Sequence, residues 1–333
     1  MKTTTLTYPS HDSSSTVRAL MWEADDAARP DFVPRAVVQL VHGMSEHVER
    51  YAPFANYLVD QGFVVCANDH VGHGKTAASD AELGHMPLDA GADVLVEDVH
   101  VLRELSHERY PGCPHVIFGH SMGSFVTRAY LTRHAQGLAA AVLCGTGQQP
   151  HIQTAAGKVL CRIIAAARGP RHVSRLIDSL GAGAYGRAIK GARTNVDWIC
   201  TDPKVVDEYI ADPLCGQPFT VGAYATLSGL VAQATDARLA RRIPRDLPLL
   251  FIAGAEDPVG ECGRGVRRAV DEYRNAGVRL VEQIIYPGVR HEILNEPIHD
   301  QVFADVLDFL TRQGIEREPA RPCRPMQRAL VSA

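Results

Sequence analysis

The sequence predicts an α/β fold built on a mostly parallel sheet, covered on both faces and interrupted by one inserted helical cap. Three observations lead there. Short continuous apolar runs alternate with longer segments of helical period from Val37 to Cys144; the alternation stops between Gly147 and about Leu239, where the period is helical throughout; and it resumes at Leu249. Strands that are apolar on both sides need helices above and below them, and a strand–helix–strand succession is the connection that parallel pairing requires.

Taken in order, Thr3–Thr7 and Thr16–Trp22 alternate around Pro9, Ser10 and Asp12 and predict an antiparallel hairpin at a sheet edge. Val37–Val41 reads as the first buried strand. A helix follows over Arg50–Gln61, with Tyr51, Phe54, Ala55 and Leu58 on one face. Phe63–Ala67 is the next strand, and Asp93–Tyr110 a helix ended by Pro111, with Val94, Val101, Leu102 and Leu105 among its apolar positions. His115–Phe118, Met122–His134 and Leu138–Cys144 give strand, helix and strand. Inside the insertion, Ala155–Ala167 carries an apolar stripe including Val159, Leu160, Ile163 and Ile164, read as core packing in preference to a lipid-facing surface. Phe219, Tyr224 and Leu230 are read the same way. Leu249–Ala253 and Leu280–Tyr286 are the last strands, and a helix closes the fold from Ile298 to Thr311. The expected organisation is core over 1–146, helical cap or lid over 147–239, core again over 240–315, and a flexible tail over 316–333 marked by Pro319, Pro322 and Pro325.

With 333 residues, 46% of them hydrophobic, the chain has material for one large core. A net charge of −4 and a pI near 6.4 give no electrostatic reason to expect a nucleic-acid partner. The residues after Met1–Thr5 are polar, unlike a secretory leader, and no apolar run approaches the ~18 residues of a membrane span, so a soluble cytoplasmic protein is expected. Eight cysteines without a C-x-x-C pair fit reduced thiols and argue against a structural zinc.

The chemistry centres on Gly119-His120-Ser121-Met122-Gly123, directly after an apolar strand and before a helix. Strand, G-x-S-x-G and helix form the strained turn that lifts a serine hydroxyl clear of the backbone, with glycines giving it room. A serine hydroxyl needs a base to become a nucleophile. His291 follows the last strand in Tyr286-Pro287-Gly288-Val289-Arg290-His291, and Asp257 follows the one before it in Ala255-Glu256-Asp257-Pro258. The order Ser, Asp, His predicts a triad in which His291 takes the proton of Ser121 and Asp257 orients the imidazole. Glu256 is the weaker alternative to Asp257, because the Asp-Pro step suits the turn. His299 is read as a packing or surface residue of the last helix, and Glu292 as a solvated or hydrogen-bonding neighbour. Acyl transfer also needs donors for an oxyanion. The amide of Met122 supplies one, and the turn Val41-His42-Gly43-Met44 presents that of Met44 as the second, with His42, Gly43, Gly119, His120 and Gly123 shaping the loops.

Two further patterns carry less. Gly181-Ala182-Gly183-Ala184-Tyr185-Gly186 matches G-x-G-x-x-G, but no strand precedes it, which removes its dinucleotide reading. His70, His73 and His85 lie close in sequence without implying a metal, so neither metal nor cofactor is expected.

Together, His42-Gly43-Met44-Ser45-Glu46-His47 with Arg50-Tyr51, Asp69-His70-Val71-Gly72-His73-Gly74-Lys75, the Ser121 motif and Gly288-Val289-Arg290-His291-Glu292 resemble the monoacylglycerol lipase and lysophospholipase-like (serine aminopeptidase S33-type) branch of the α/β-hydrolase fold. Asp197–Asp202 and Tyr209–Cys215 resemble the cap of bacterial members. The resemblance implies a serine hydrolase acting on a lipid monoester through an acyl-enzyme, with an apolar channel in the cap. Ser124 departs from it, standing where another glycine is usual, which implies less room behind the nucleophile. Rival readings are an esterase, thioesterase or transacylase on other small esters, or a ligand-binding protein on the same fold. The partner expected is a small ester with an acyl chain, with transient contact with lipid aggregates or self-association at the cap edge left open.

Overall fold

The computed structural model describes residues 1–27 and 32–315. The expected tail over 316–333, with Cys323, lies outside the described residues. Eight strands form one sheet in the order β1-β2-β4-β3-β5-β6-β7-β8. They are β1 (Lys2–Pro9), β2 (Thr16–Glu23), β3 (Val37–Val41), β4 (Val64–Asn68), β5 (His115–His120), β6 (Leu138–Cys144), β7 (Leu249–Gly254) and β8 (Val281–Tyr286). The predicted edge hairpin is present as β1–β2, and β2 also runs antiparallel to β4. All remaining pairs are parallel.

Strand β5 shows why its residues are continuously apolar. Val116 and Phe118 point into one buried cluster and Ile117 into the other, as the period of two along a strand requires. The first cluster is closed by α1 (Ala52–Asp60) and α11 (His299–Arg312), through Phe54, Leu58, Phe303, Val306 and Leu310. The second is closed by α2 (Gly91–Arg109), α3 (Met122–His134) and α10 (Arg264–Ala276), through Val99, Phe125, Val126, Ala129 and Val270.

Some boundaries differ from the sequence reading, for identifiable reasons. The helix expected over Arg50–Gln61 is a 3₁₀ turn over Val48–Tyr51 followed by α1, because Pro53 has no amide to donate and fits only the first turn of an α-helix. Helix α10 was not anticipated. Arg264, Arg267, Arg268 and Asp271 make it polar on average, yet Val266, Ala269, Val270 and Tyr273 form a buried stripe.

Between β6 and β7 every described regular element is a helix: α4 (His151–Arg168), α5 (Arg175–Leu180), α6 (Ala182–Ala188), α7 (Pro203–Ala211), α8 (Val221–Ala234) and α9 (Ala237–Ala240). Helix α8 packs on α4, α3 and α2, which roots the insertion on the core. Phe219, Tyr224 and Leu230 are buried as core residues. The apolar stripe of α4 is divided. Leu160 and Ile164 pack against the core, whereas Val159 and Ile163 are 58% and 62% exposed, against the expectation of core packing for the whole stripe. Among the described residues no helix is long and apolar enough to cross a membrane.

The chain runs from β3 outward to β4 and then returns past β3 to β5. That reversal opens a crevice at the carboxyl ends of β3 and β5, where ligands of open parallel sheets bind.

Candidate active site

Ser121 stands at the end of β5 with φ 54° and ψ −121°, a conformation unfavourable for a residue with a Cβ. The turn is held by Ser121 N–H donating to the Cys144 carbonyl at 2.9 Å and by Ser124 N–H donating to the Ser121 carbonyl at 2.9 Å. Its glycines are required by space. A methyl at Gly123 would sit 2.0 Å from the Val41 carbonyl oxygen, and one at Gly119 would sit 2.3 Å from the Thr127 hydroxyl and 2.4 Å from the Gly123 carbonyl oxygen. The elbow thus nests against the end of β3. Ser124 Oγ donates to the Ser121 carbonyl at 2.6 Å, so the hydroxyl that replaces the usual glycine adds a bond behind the turn.

The ends of β5, β7 and β8 converge on one another. Ser121 Oγ is 2.7 Å from His291 Nε2, and His291 Nδ1 is 2.9 Å from Asp257 Oδ2. Asp257 is fully buried and also accepts from Val259 N–H at 2.8 Å, while Glu256 is exposed on the other side of the turn. Burial with those contacts leaves Nδ1–H donating to the carboxylate and Nε2 facing the hydroxyl, the tautomer a general base needs.

Beside this row, Met44 and Met122 line a cavity of about 450 Å³ that also reaches Ser121, His291, Phe125 and Leu227. Met122 opens α3, whose first amides are without intrahelical acceptors. Gly43 N–H donates to Glu46 Oε1 at 2.6 Å, so that carboxylate sets the turn that carries Met44. His42 Nδ1 lies 2.8 Å from the Gly43 carbonyl, and its Nε2 accepts from His70 N–H at 3.0 Å. His120 is buried and lies 2.9 Å from the Tyr51 hydroxyl.

A buried ionic network under the site was missed by the sequence reading. Glu46 accepts from Tyr51 OH at 2.7 Å and Arg50 at 2.9 Å, and Arg50 also makes a two-pronged pair with Glu292 at 2.8 and 2.7 Å. Glu292 is only 4% exposed, which rules out its solvated reading and leaves the hydrogen-bonding one. Burial resists ionisation of Glu46, but His120 and Arg50 outweigh it and hold the carboxyl well below its usual range. Burial likewise opposes a charged His120, and the Glu46 hydrogen bond and charge override it, raising the imidazole above its usual value. The signal available in sequence was Glu46 and Arg50 four residues apart, but their partner is 242 residues further on in Glu292.

The insertion is bonded to the segment that carries His291. Glu292 N–H donates to the Ile199 carbonyl at 2.7 Å, and Arg290 Nη1 to the carbonyls of Asp197 and Cys200 at 2.6 and 3.1 Å. These bonds set Trp198 beside His291. Gly181 links α5 to α6 and Ala182–Gly186 lie in α6, so a helix and not a strand directly precedes the pattern. His299 opens α11 with Nδ1 2.9 Å from the Glu296 carbonyl. His70 and His73 are buried next to His42, with ring centroids 4.3 and 5.3 Å from it, while His85 lies apart against Thr220.

Sheet order, elbow and the row at the strand ends define an α/β-hydrolase. Residues 33–298 match the family described as "Serine aminopeptidase, S33". The chain belongs to that family, within the class of carboxylic ester hydrolases. It is 30% identical to a monoacylglycerol lipase of Mycolicibacterium smegmatis over 86% of this chain and 91% of that one. Identity to a human monoglyceride lipase is 25%, over 88% of each chain. Among solved structures, a thermostable carboxyl esterase from Bacillus coagulans in complex with glycerol superposes with a TM-score of 0.85 at 32% identity, covering 94% of this chain and 99% of that one.

Proposed function

We propose that the protein is a serine esterase that cleaves lipid monoesters, monoacylglycerols foremost, through an acyl-enzyme on Ser121. The observation that carries this reading is the hydrogen-bonded row Ser121–His291–Asp257 at the wall of a 450 Å³ cavity reached by apolar side chains. The similarity to a monoacylglycerol lipase and to an esterase whose structure holds glycerol supports the choice of substrate.

The ester enters with its carbonyl carbon over Ser121 Oγ. His291 Nε2 takes the hydroxyl proton as Oγ forms its bond to the carbonyl carbon, and Asp257 stabilises the imidazolium. The amides of Met44 and Met122 receive the negative charge on the carbonyl oxygen, a contribution of about 3 kcal/mol per donor in comparable sites. His291 then returns the proton to the leaving alcohol as the ester C–O bond breaks. A water, deprotonated by the same nitrogen, cleaves the acyl-enzyme. Residues 147–239 act in this scheme as a cap whose apolar interior takes the acyl chain.

Hydrolysis of p-nitrophenyl esters from acetate to palmitate, beside 1-monoacylglycerol and lysophosphatidylcholine, tests the proposal with Ser121→Ala as control. It expects preference for medium or long chains and for monoacylglycerol, with turnover lost in the variant. Activity limited to acetate and butyrate would reassign the substrate, and turnover retained by Ser121→Ala would remove the mechanism.

A further inference from the structure

We propose that His47, Asp212 and Cys215 form a site for a borderline-soft divalent cation of the Zn²⁺ type, joining the helical insertion to the turn after β3. A ring nitrogen, a carboxylate oxygen and a thiol sulfur from these residues all lie within 4.8 Å of one another. Tetrahedral ligation puts neighbouring donors roughly 3.3–3.7 Å apart, so small side-chain rotations suffice. His47 Nε2 and Asp212 Oδ2, now 2.8 Å apart, would open slightly as the cation replaces the proton between them.

The backbone on both sides of the cluster is already fixed. Gly216 N–H donates to the Ser45 carbonyl at 2.9 Å, Tyr209 OH to the same carbonyl at 2.9 Å, and Ser45 Oγ to the Gln217 carbonyl at 2.7 Å. Leu214 N–H donates to Asp212 Oδ1 at 2.8 Å, which leaves Oδ2 turned toward His47. Ligands held this way lose little freedom on binding. The His47 side chain is 7% exposed and that of Asp212 30%, so the carboxylate side provides an entry path and a fourth position for water. One nitrogen, one oxygen and one sulfur suit Zn²⁺ or Co²⁺; Ca²⁺ and Mg²⁺ require shells made mainly of oxygen, and the cluster offers a single carboxylate.

Burial pushes the Cys215 thiol up, and the nearby Arg50 charge works against that rise. Binding to the neutral imidazole shifts the ring proton to Nδ1 and releases the thiol proton to solvent. One proton therefore leaves per cation bound, and affinity rises with pH. No motif spacing announces the cluster, because His47 and Asp212 are 165 residues apart. A cation there fastens the 209–217 segment to the turn that carries Met44. The cluster is separate from Ser121, so the inference stands or falls independently of the esterase reading.

Titration of the full chain with Co²⁺ tests it, read by the near-ultraviolet thiolate-to-cobalt charge-transfer band. The band is expected in the wild type and in Cys262→Ser, which removes the one exposed thiol among the described residues, and is expected to vanish on adding Zn²⁺. It should be absent from Cys215→Ser. Zn²⁺ at a hundredfold excess over its Kd should raise the wild-type Tm by about 3–5 °C, with the rise lost in Cys215→Ser and in Asp212→Asn. Two variants at different ligands keep the test decisive if one folds poorly. No thiolate band in the wild type, a band that persists in Cys215→Ser, or equal Tm shifts in all proteins would overturn the proposal and leave a hydrogen-bonded staple.

Discussion

The indole of Trp198 lies 5.0 Å from the imidazole of His291, centroid to centroid, with the ring planes 43° apart. A residue of the helical insertion thus packs against the imidazole proposed as the base, on the strength of the Arg290 and Glu292 bonds to the backbone around it. Replacing it as Trp198→Ala should lower kcat/KM about tenfold by admitting water beside His291, with Trp198→Phe recovering most of the loss. Steady-state kinetics on one ester with both variants checks this. Equal activity in all three proteins would mean that the ring contact is incidental.

Glu46→Gln should separate positioning from binding. The carboxylate orders the Gly43 turn and pairs with Arg50, so kcat should fall about tenfold with little change in KM. Stability should fall by about 3 kcal/mol or more, because Arg50 and His120 lose a buried counter-charge. A rise in KM alone would place Glu46 in substrate binding instead.

Gly123→Ala should unfold or severely destabilise the protein. The added methyl meets the carbonyl oxygens of Val41 and His42 at 2.0 and 2.5 Å, and strand backbone cannot move away cheaply. A loss of about 3 kcal/mol or more in urea unfolding is expected. A Tm within a degree of the wild type would show that β3 and the elbow are not in close register.

Stability should peak near pH 6.5. Burial is the largest cause lowering His42, His70, His73 and His115, with neighbouring histidines adding to it for His42 and His70 and the Arg103 charge for His115; His42 and His115 are brought to about 3. The unfolded chain therefore binds protons that the native state refuses once pH drops below about 6.5, and each histidine costs up to about 1.4 kcal/mol per pH unit. His120 has the opposite sign. Its raised value stabilises the fold fully below about pH 6.5, and that contribution is lost as pH rises through its native value. Urea midpoints between about pH 5 and 8 check the curve, and His115→Gln should flatten its acid side. A plateau across the range would contradict the buried neutral histidines.

Much of the proposed site was legible because its residues are marked locally. Ser121 carries its own elbow motif, and Asp257 and His291 each follow an apolar strand at a turn, so position along the chain sufficed to place them at one sheet edge. Strands β3 to β7 were legible because burial on both faces keeps their runs mainly apolar, with Gln39 a buried exception, whereas β8 showed through Val281, Ile284, Ile285 and Tyr286 despite Glu282 and Gln283. Helix α10 was not, since its six charged residues mask a narrow buried stripe. Arg50–Glu292 was hidden for another reason. Charge pairs across 242 residues leave no periodicity, and only the sheet order brings them together. The exposure of Val159 and Ile163 was equally invisible, because periodicity gives a helix face and not what covers it.

Arg128 on α3 is completely buried, and its guanidinium reaches Thr146 Oγ1, the Gly147 carbonyl and Gln148 Oε1, where the insertion begins, and the Ala234 carbonyl near its end. The same side chain donates to Tyr273 OH on α10. A guanidinium cannot leave water until acceptors from all three places have arrived, so neither the insertion nor the sheet can come apart while the other keeps this charge dry. Folding of the described chain should accordingly be one cooperative event. Calorimetry should record a single heat-absorption peak, without a separate low-temperature shoulder for the helical segment.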